Sequence, residues 1–323
     1  MPPTLMAVPN FSEGRDPATI AAIAAALAAP HGPDGRRGAR LLDVHADASH
    51  HRSVYTLAGA PAELVDSLLA GACVALDLID VGEERMNLSE PAQHPHVGAL
   101  DVAPIVYLDE RDRGAACAAA LVLADRLASE LAVPVFLYGE LTGEADSPPR
   151  TRAELRRGGL AGLAERMGGE ARAEPPPAAD PAPPAEPLRP DFGPRQPHPS
   201  AGAALVAARP PLVAFNVQLA PPATIVDARA IAVRIREGGS IGIAGVRAIG
   251  IDLAGVPQVS MNIERPSETP LADIVREISG LAPVAGAELV GLAPAAALEA
   301  FPDDVPMPGF DPARHVIENA LGG

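Results

Sequence analysis

The chain has 323 residues, 48% hydrophobic and 20% charged, a balance that excludes a disordered chain and leaves room for two ordinary cores. A formal charge of −16, with no run of lysine or arginine, excludes sequence-independent binding to nucleic acid or to an anionic membrane, since both need basic patches. Aromatics make up 3% and tryptophan is absent, so the cores have to be aliphatic.

Residues 5–9 read as a short strand, and Asp16-Pro17 then supplies an N-cap and a proline at the first position of a helix running to about Leu27. Strands at 40–45 and 53–58 flank a polar segment, an apolar-periodic helix fills 61–78, and 102–108 forms the next strand. This β-α-β-β-α-β order defines a ferredoxin-like unit, followed by a long helix at about 114–131 and a strand at 135–138. Eleven of the 37 prolines then fall between Pro175 and Pro199, where apolar periodicity stops. Prolines at that density cannot donate backbone hydrogen bonds, so 174–199 is expected to link an N-terminal subdomain (1–173) to a C-terminal one (200–323). The order returns beyond it: strand 212–218, helix at about 222–237, a hairpin of 246–253 and 256–263, a helix near 271–281 and a strand at 288–290. The expected fold class is α/β (α+β), two ferredoxin-like subdomains joined by a Pro-rich linker, with the cleft between them as the default ligand site.

Residues 1–9 carry no basic n-region, and nowhere do 18 uncharged apolar residues stand together, so a cytoplasmic location without membrane contact is expected. Cys73 and Cys117 lie in helical apolar spacing, which suits small buried side chains better than a disulfide framework.

Six of the eight histidines precede residue 97, and five fall in two loop-like segments: His45, His50 and His51 in one, His94 and His96 in the other. Imidazole exchanges protons near neutral pH, and loops present such groups to a cleft. An alternative makes the cluster a metal site, with His94, His96, His45, His51, Asp43 or Asp47 as ligands, although no specific metal spacing is present. No G-x-S-x-G elbow occurs, and the glycines at 238–242 lack the lysine of a phosphate loop, so they read as a flexible turn.

Several blocks carry a resemblance. Val8-Pro9-Asn10-Phe11-Ser12-Glu13-Gly14-Arg15, Leu41-Leu42-Asp43-Val44, His51-Arg52-Ser53-Val54, His94-Pro95 with Gly98-Ala99-Leu100-Asp101-Val102, and Leu137-Tyr138-Gly139-Glu140 resemble glutamate formiminotransferase, the folate-dependent enzyme of histidine degradation. Past the prolines, Asp191-Phe192-Gly193-Pro194, His198-Pro199-Ser200-Ala201-Gly202, Leu212-Val213-Ala214-Phe215-Asn216, Gln258-Val259-Ser260-Met261-Asn262 and Glu288-Leu289-Val290-Gly291-Leu292 continue it. The resemblance implies a homodimer in which formiminoglutamate and tetrahydrofolate, the acceptor substrate, meet between the halves. It further implies transfer of the formimino group to N5, with His94 as catalytic base and acid and no metal. Substrate contacts are then expected from Gly193, Pro194, Gln196, His198, Ser200 and Gly202. Arg52 and Arg209 suit the substrates' carboxylates, because guanidinium grips carboxylate as a bidentate fork. Asn10, Asp43, His45, His96 and Asn262 complete the expected contacts. Residues 82–93 carry Glu83, Glu84 and Glu90 where relatives are basic, His96 replaces a frequent arginine, and Ala207-Ala208 replaces a glycine before Arg209. A divergent homologue that binds folate but uses another formimino or formyl donor, or is non-catalytic, is therefore the alternative reading.

Overall fold

The computed structural model describes residues 2–29, 38–82, 96–143, 149–168, 187–253 and 255–322. The first strand is interrupted: β1 (Leu5–Ala7) and β2 (Asn10–Phe11) are separated by Val8-Pro9, whose proline cannot donate to a ladder. Asp16 caps α1 (Pro17–Ala28) as expected, its carboxylate accepting from the Ala18 and Thr19 N–H groups. The hairpin β3 (Arg40–Asp47) and β4 (Arg52–Gly59) leads to α2 (Pro61–Leu78), which starts at its proline, and then come β5 (Leu100–Val106), α3 (Arg113–Leu131) and β6 (Val135–Leu137).

Two short helices, α4 (Arg152–Leu155) and α5 (Gly159–Arg166), precede β7 (Ala204–Arg209), and the sequence pattern gave no signal for β7. It pairs in parallel with both β5 and β6 and is buried along most of its length, so it belongs to the first sheet. A strand covered on both faces has no polar alternation, and three alanines in six residues carry little β-propensity. The chain therefore passes between sheets at residues 210–212, not at 200. Residues 187–203 pack along the first sheet: Phe192 bridges Val135, and the Asp191 carboxylate accepts from the Leu137 N–H at 2.7 Å.

The first sheet runs β3, β4, then β1 and β2 in line, β5, β7, β6. Helices α1, α2 and α3 cover one face over a core that includes Phe11, Ile23, Tyr55, Leu64 and Leu123, all fully buried. Each such side chain contributes roughly 1.5–3 kcal/mol through removal from water. Leu155 and Leu163, from α4 and α5, pack with Phe136 and Leu205 on the other face.

The second sheet is built from β8 (Val213–Leu219), α6 (Ile225–Ile235), β9 (Val246–Leu253), β10 (Val256–Ile263), α7 (Leu271–Ser279) and β11 (Val284–Val290). Its spatial order, β11-β8-β10-β9, places the fourth strand beside the first and the third beside the second, and β5-β1-β4-β3 repeats that order in the first sheet. This is the mixed α/β, two-sheet architecture expected from the element order. Helices α8 (Pro312–His315) and α9 (Ile317–Gly322) end the chain against the first sheet, where Arg40 donates to the Ala320 and Leu321 carbonyls.

Both cysteines are free. Cys73 is exposed on α2 and Cys117 is half-buried on α3, so the expected burial fails for Cys73: it stands on the solvent side of a helix whose apolar stripe runs through Leu64, Leu68, Ala72 and Ala75.

Candidate active site

The sheet faces turned away from α1–α3 and from α6 and α7 meet over a cleft of about 1050 Å³, part of it open to solvent. Strand alternation decides what enters it. On β4, Arg52, Val54 and Thr56 face the cleft while Tyr55 and Leu57 enter the helical core; on β8, Ala214 and Asn216 face it while Phe215 and Val217 do not. Asn10 from β2, His45 and Asp47 from β3, His50 from the turn after it, Ser260 and Asn262 from β10, and Arg209 at the end of β7 complete the polar lining, together with Arg152 from α4. Arg52, Arg209, Asn10, His45 and Asn262, expected from sequence to contact substrate, are thus brought to one cavity.

Charge in the cleft runs opposite to that of the chain. Burial lowers the pKa of Arg52 to about 10, with Arg156 and Arg152 pushing the same way; burial likewise lowers Arg209 to about 10, and Arg152 is lowered by burial and by Arg156. Guanidinium is too strong a base to lose its proton at neutral pH, so the cleft stays cationic. Among the described residues no carboxylate forms an ion pair with Arg52, Arg152 or Arg209, an arrangement suited to anionic groups of a ligand. Arg152 was not legible because its helix has only four residues. The available signal was Thr151-x-x-Glu154, a capping box in which Thr151 Oγ1 accepts from the Glu154 N–H and Glu154 Oε2 from the Thr151 N–H.

The histidines go to separate partners. His45 Nε2 lies 3.7 Å from Glu288 Oε1 across the cleft, and Asn216 Nδ2 donates to Glu288 Oε2 at 2.9 Å. His50, buried, pairs through Nδ1 with Asp47. His51, with φ 48°, accepts at Nδ1 from the Gly14 N–H and lies 3.4 Å from Glu13; burial pulls it below the usual histidine value, against the pull of Glu13 and with Arg15 and His96 adding to the fall. Asp43 stands off the cleft lining, 3.9 Å from His315 Nε2. The grouping of His45, His51, Asp43 and Asp47 considered for a metal is thus not formed, and among the described residues no three His, Cys, Asp or Glu side chains gather as a metal-binding group.

Asp47 carries a pH prediction. Burial alone would raise its pKa, but the His50 ring and the N–H groups of His50 and Ser49 outweigh it and lower the carboxyl from 3.8 to about 2. A depressed carboxylate stabilises the fold above its unfolded value and loses that contribution as pH falls through the folded one. Asp47→Asn is expected to cost on the order of 2 kcal/mol at pH 6, and the gap between wild type and variant should close between about pH 4 and pH 2. Urea unfolding at pH 6, 4 and 2.5 checks this; a gap that does not change with pH refutes it.

His94 lies outside the described residues, as do Glu83, Glu84 and Glu90. The chain just after it is held firmly. The Ser12 N–H and hydroxyl donate to the Ala99 and Gly98 carbonyls, Ala99 N–H donates to the Ala201 carbonyl, and a Cβ on Gly98 would stand 2.0 Å from the Ala203 oxygen. The Val97 N–H donates to Asp101 Oδ1 at 2.9 Å, and Asp101 forms a buried ion pair with Arg156. His96 is half-buried beside His51. Gly193, Pro194, Gln196, His198, Ser200 and Gly202 lie off the arginine-lined cleft, in the segment that bridges Gly98 through Gly202. Within it Gln196 is exposed, and His198 Nδ1 accepts from the Ala201 N–H at 3.1 Å.

A family model described as the formiminotransferase domain, N-terminal subdomain, matches residues 4–209, and one described as the formiminotransferase domain matches 214–302; the gap between them falls at the β7–β8 connection. These matches, with a cationic cleft between two sheets, define a transferase. The chain belongs to the formiminotransferase family. It is 33% identical over 327 residues to the glutamate formimidoyltransferase of Streptococcus pyogenes serotype M1, with 98% of each chain covered, and 31% identical over 300 residues to that of Thermoplasma acidophilum, covering 90% and 88%. Identity to the formimidoyltransferase-cyclodeaminase of Gallus gallus is 35% over 303 residues, which is 90% of this chain and 50% of that one. No helix among the described residues is long and apolar enough to cross a membrane.

Proposed function

We propose that the protein is a folate-dependent glutamate formimidoyltransferase, moving the formimino group of N-formimino-L-glutamate to N5 of tetrahydrofolate and releasing glutamate. The observation that carries the reading is the convergence of Arg52, Arg152 and Arg209 on one cleft in a family of formimino-group transferases, because both substrates bear carboxylates. N5 loses a proton as it attacks the formimino carbon and the glutamate nitrogen gains one as it leaves, which suits a single imidazole, His94, acting as base and then acid. Arg52 and Arg209 hold carboxylates and so fix the reacting atoms near one another, the main source of acceleration when two substrates must meet. Residues 193–202 offer glycine and proline backbone to the flat pterin. We assign the protein to the cytoplasm as a homodimer, without a metal.

The test is the absorbance change for formimino-folate production from tetrahydrofolate and formiminoglutamate. Turnover that survives chelation is expected. Folate binding by calorimetry without turnover would favour the divergent homologue with another formimino or formyl donor, and absence of both would reject the reading. Loss of turnover on chelation, with stoichiometric metal in the purified protein, would favour a metal enzyme.

A further inference from the structure

Arg152 is the one cleft guanidinium that does not come from a strand, and its setting is built. Thr151 and Glu154 cap α4 reciprocally, Leu155 is buried against Phe136 and Leu163, and Arg156, one turn on, is locked to buried Asp101. A side chain launched from so short a helix would otherwise be free to swing; here its root is fixed on three sides. It stands near both other cleft arginines, since the charge of Arg152 depresses the pKa of each.

The neighbouring carboxylates are engaged elsewhere. Asp47 is paired with His50, Asp101 with Arg156, Glu264 with Arg247 at 3.4 Å, and Glu288 accepts from Asn216. Three partly buried guanidiniums therefore line one cavity with no carboxylate in ion-pair contact, Asp47, Asp101 and Glu264 acting on them only from a distance. Two cations can share a single carboxylate, but three in one cavity are better matched by a ligand carrying two carboxylates a few atoms apart. Desolvated like charges are costly unless such a ligand compensates them.

We infer that Arg152 is a specificity-determining residue that selects a dicarboxylate donor by taking the carboxylate that Arg52 or Arg209 leaves unmet. The inference rests on the proposed reading of the cleft as the donor site, and it names the feature of the donor that the cleft reads. Arg152 touches substrate through its guanidinium and takes no part in proton transfer.

The experiment is calorimetric titration of wild type, Arg152→Gln and Arg152→Lys with L-glutamate and with L-2-aminobutyrate, which lacks the side-chain carboxylate. Wild type is expected to prefer glutamate. Arg152→Gln should weaken glutamate binding by roughly 30-fold or more while changing 2-aminobutyrate less than about threefold, as expected when one partner of a desolvated charge pair is removed. Arg152→Lys should recover part of the loss, because it restores charge without the fork. Unchanged thermal midpoints in the variants show that the fold is intact. Glutamate affinity within threefold of wild type in Arg152→Gln, or an equal loss for both amino acids, overturns the inference. Formimino transfer is assayed separately on wild type: Arg152-dependent glutamate selection without turnover would sink the proposed function and leave the dicarboxylate site standing, and turnover with no effect of Arg152 on selection would do the reverse.

Discussion

Replacing His94 by alanine is expected to lower kcat by about 10²–10⁴-fold, the usual worth of a positioned general base and acid, with the KM of both substrates changing by less than about fivefold. The separation follows from the division of labour in the proposed site. Carboxylates are held by Arg52, Arg209 and Arg152, which stay in place when an imidazole is removed, whereas the proton has to travel from N5 to the departing nitrogen in either case. Initial rates for wild type and variant, with each substrate varied in turn, give the split. Added imidazole should restore part of kcat in the variant and none in wild type. A kcat within tenfold of wild type would move the proton to another group, and His96, two residues on in the chain, and His51 of the β3–β4 turn, on which the charge of His96 acts, would be the first to examine.

The second large effect concerns stability. Asp101 and Arg156 are 2% and 4% exposed, and they join the segment following His94 to the helix that carries Arg152. Removing one member of a buried pair leaves an uncompensated charge, which costs about 3–5 kcal/mol. Asp101→Ala also deprives the Val97 N–H of its acceptor, and Arg156 Nε already lacks a hydrogen-bond partner, so little nearby can absorb the loss. At roughly 2–4 °C per kcal/mol for a unit of this size, the thermal midpoint should fall by roughly 6–20 °C. Asp101→Ala combined with Arg156→Met should be less damaging than the sum of the two single changes, because the second removes the stranded charge. Scanning calorimetry on the four proteins measures the coupling, and strict additivity would show that the pair is not a unit.

The elements that read clearly from sequence were those whose signals are local. Asp16-Pro17 opened α1, Pro61 opened α2, and the alternation of 246–253 and 256–263 gave the β9–β10 hairpin. Strand β7 was illegible for a tertiary reason: its residues are apolar on both sides because α3 lies over one face of that part of the sheet and Leu155 and Leu163 over the other, and nothing in Ala204–Arg209 announces that its neighbours lie about 70 and 100 residues back. The site divided in the same way. Asn10, His45, Arg52 and Asn262 sit in or beside strands whose blocks carry a recognisable pattern, so their convergence could be anticipated, whereas Arg209 was expected as a carboxylate partner without its strand being seen. Arg152 enters from a four-residue helix in a stretch without periodicity, and only three-dimensional proximity identifies it. The separate pairings of Asp43, His45, His50 and His51 were equally beyond a count of histidines, because Asp43 meets His315 from the chain's last helices, His45 meets Glu288 of the second sheet, and His50 and His51 turn to Asp47 and Glu13 from the β3–β4 turn.

The connection between the sheets has one more implication. Arg209 ends β7, Val213 begins β8, and of the three residues between them Pro211 and Leu212 form part of the cleft wall. The join between the sheets is therefore also wall of the binding cavity, so a change of residue at 211 or 212 would alter the shape of the cavity and the seating of the two sheets at once.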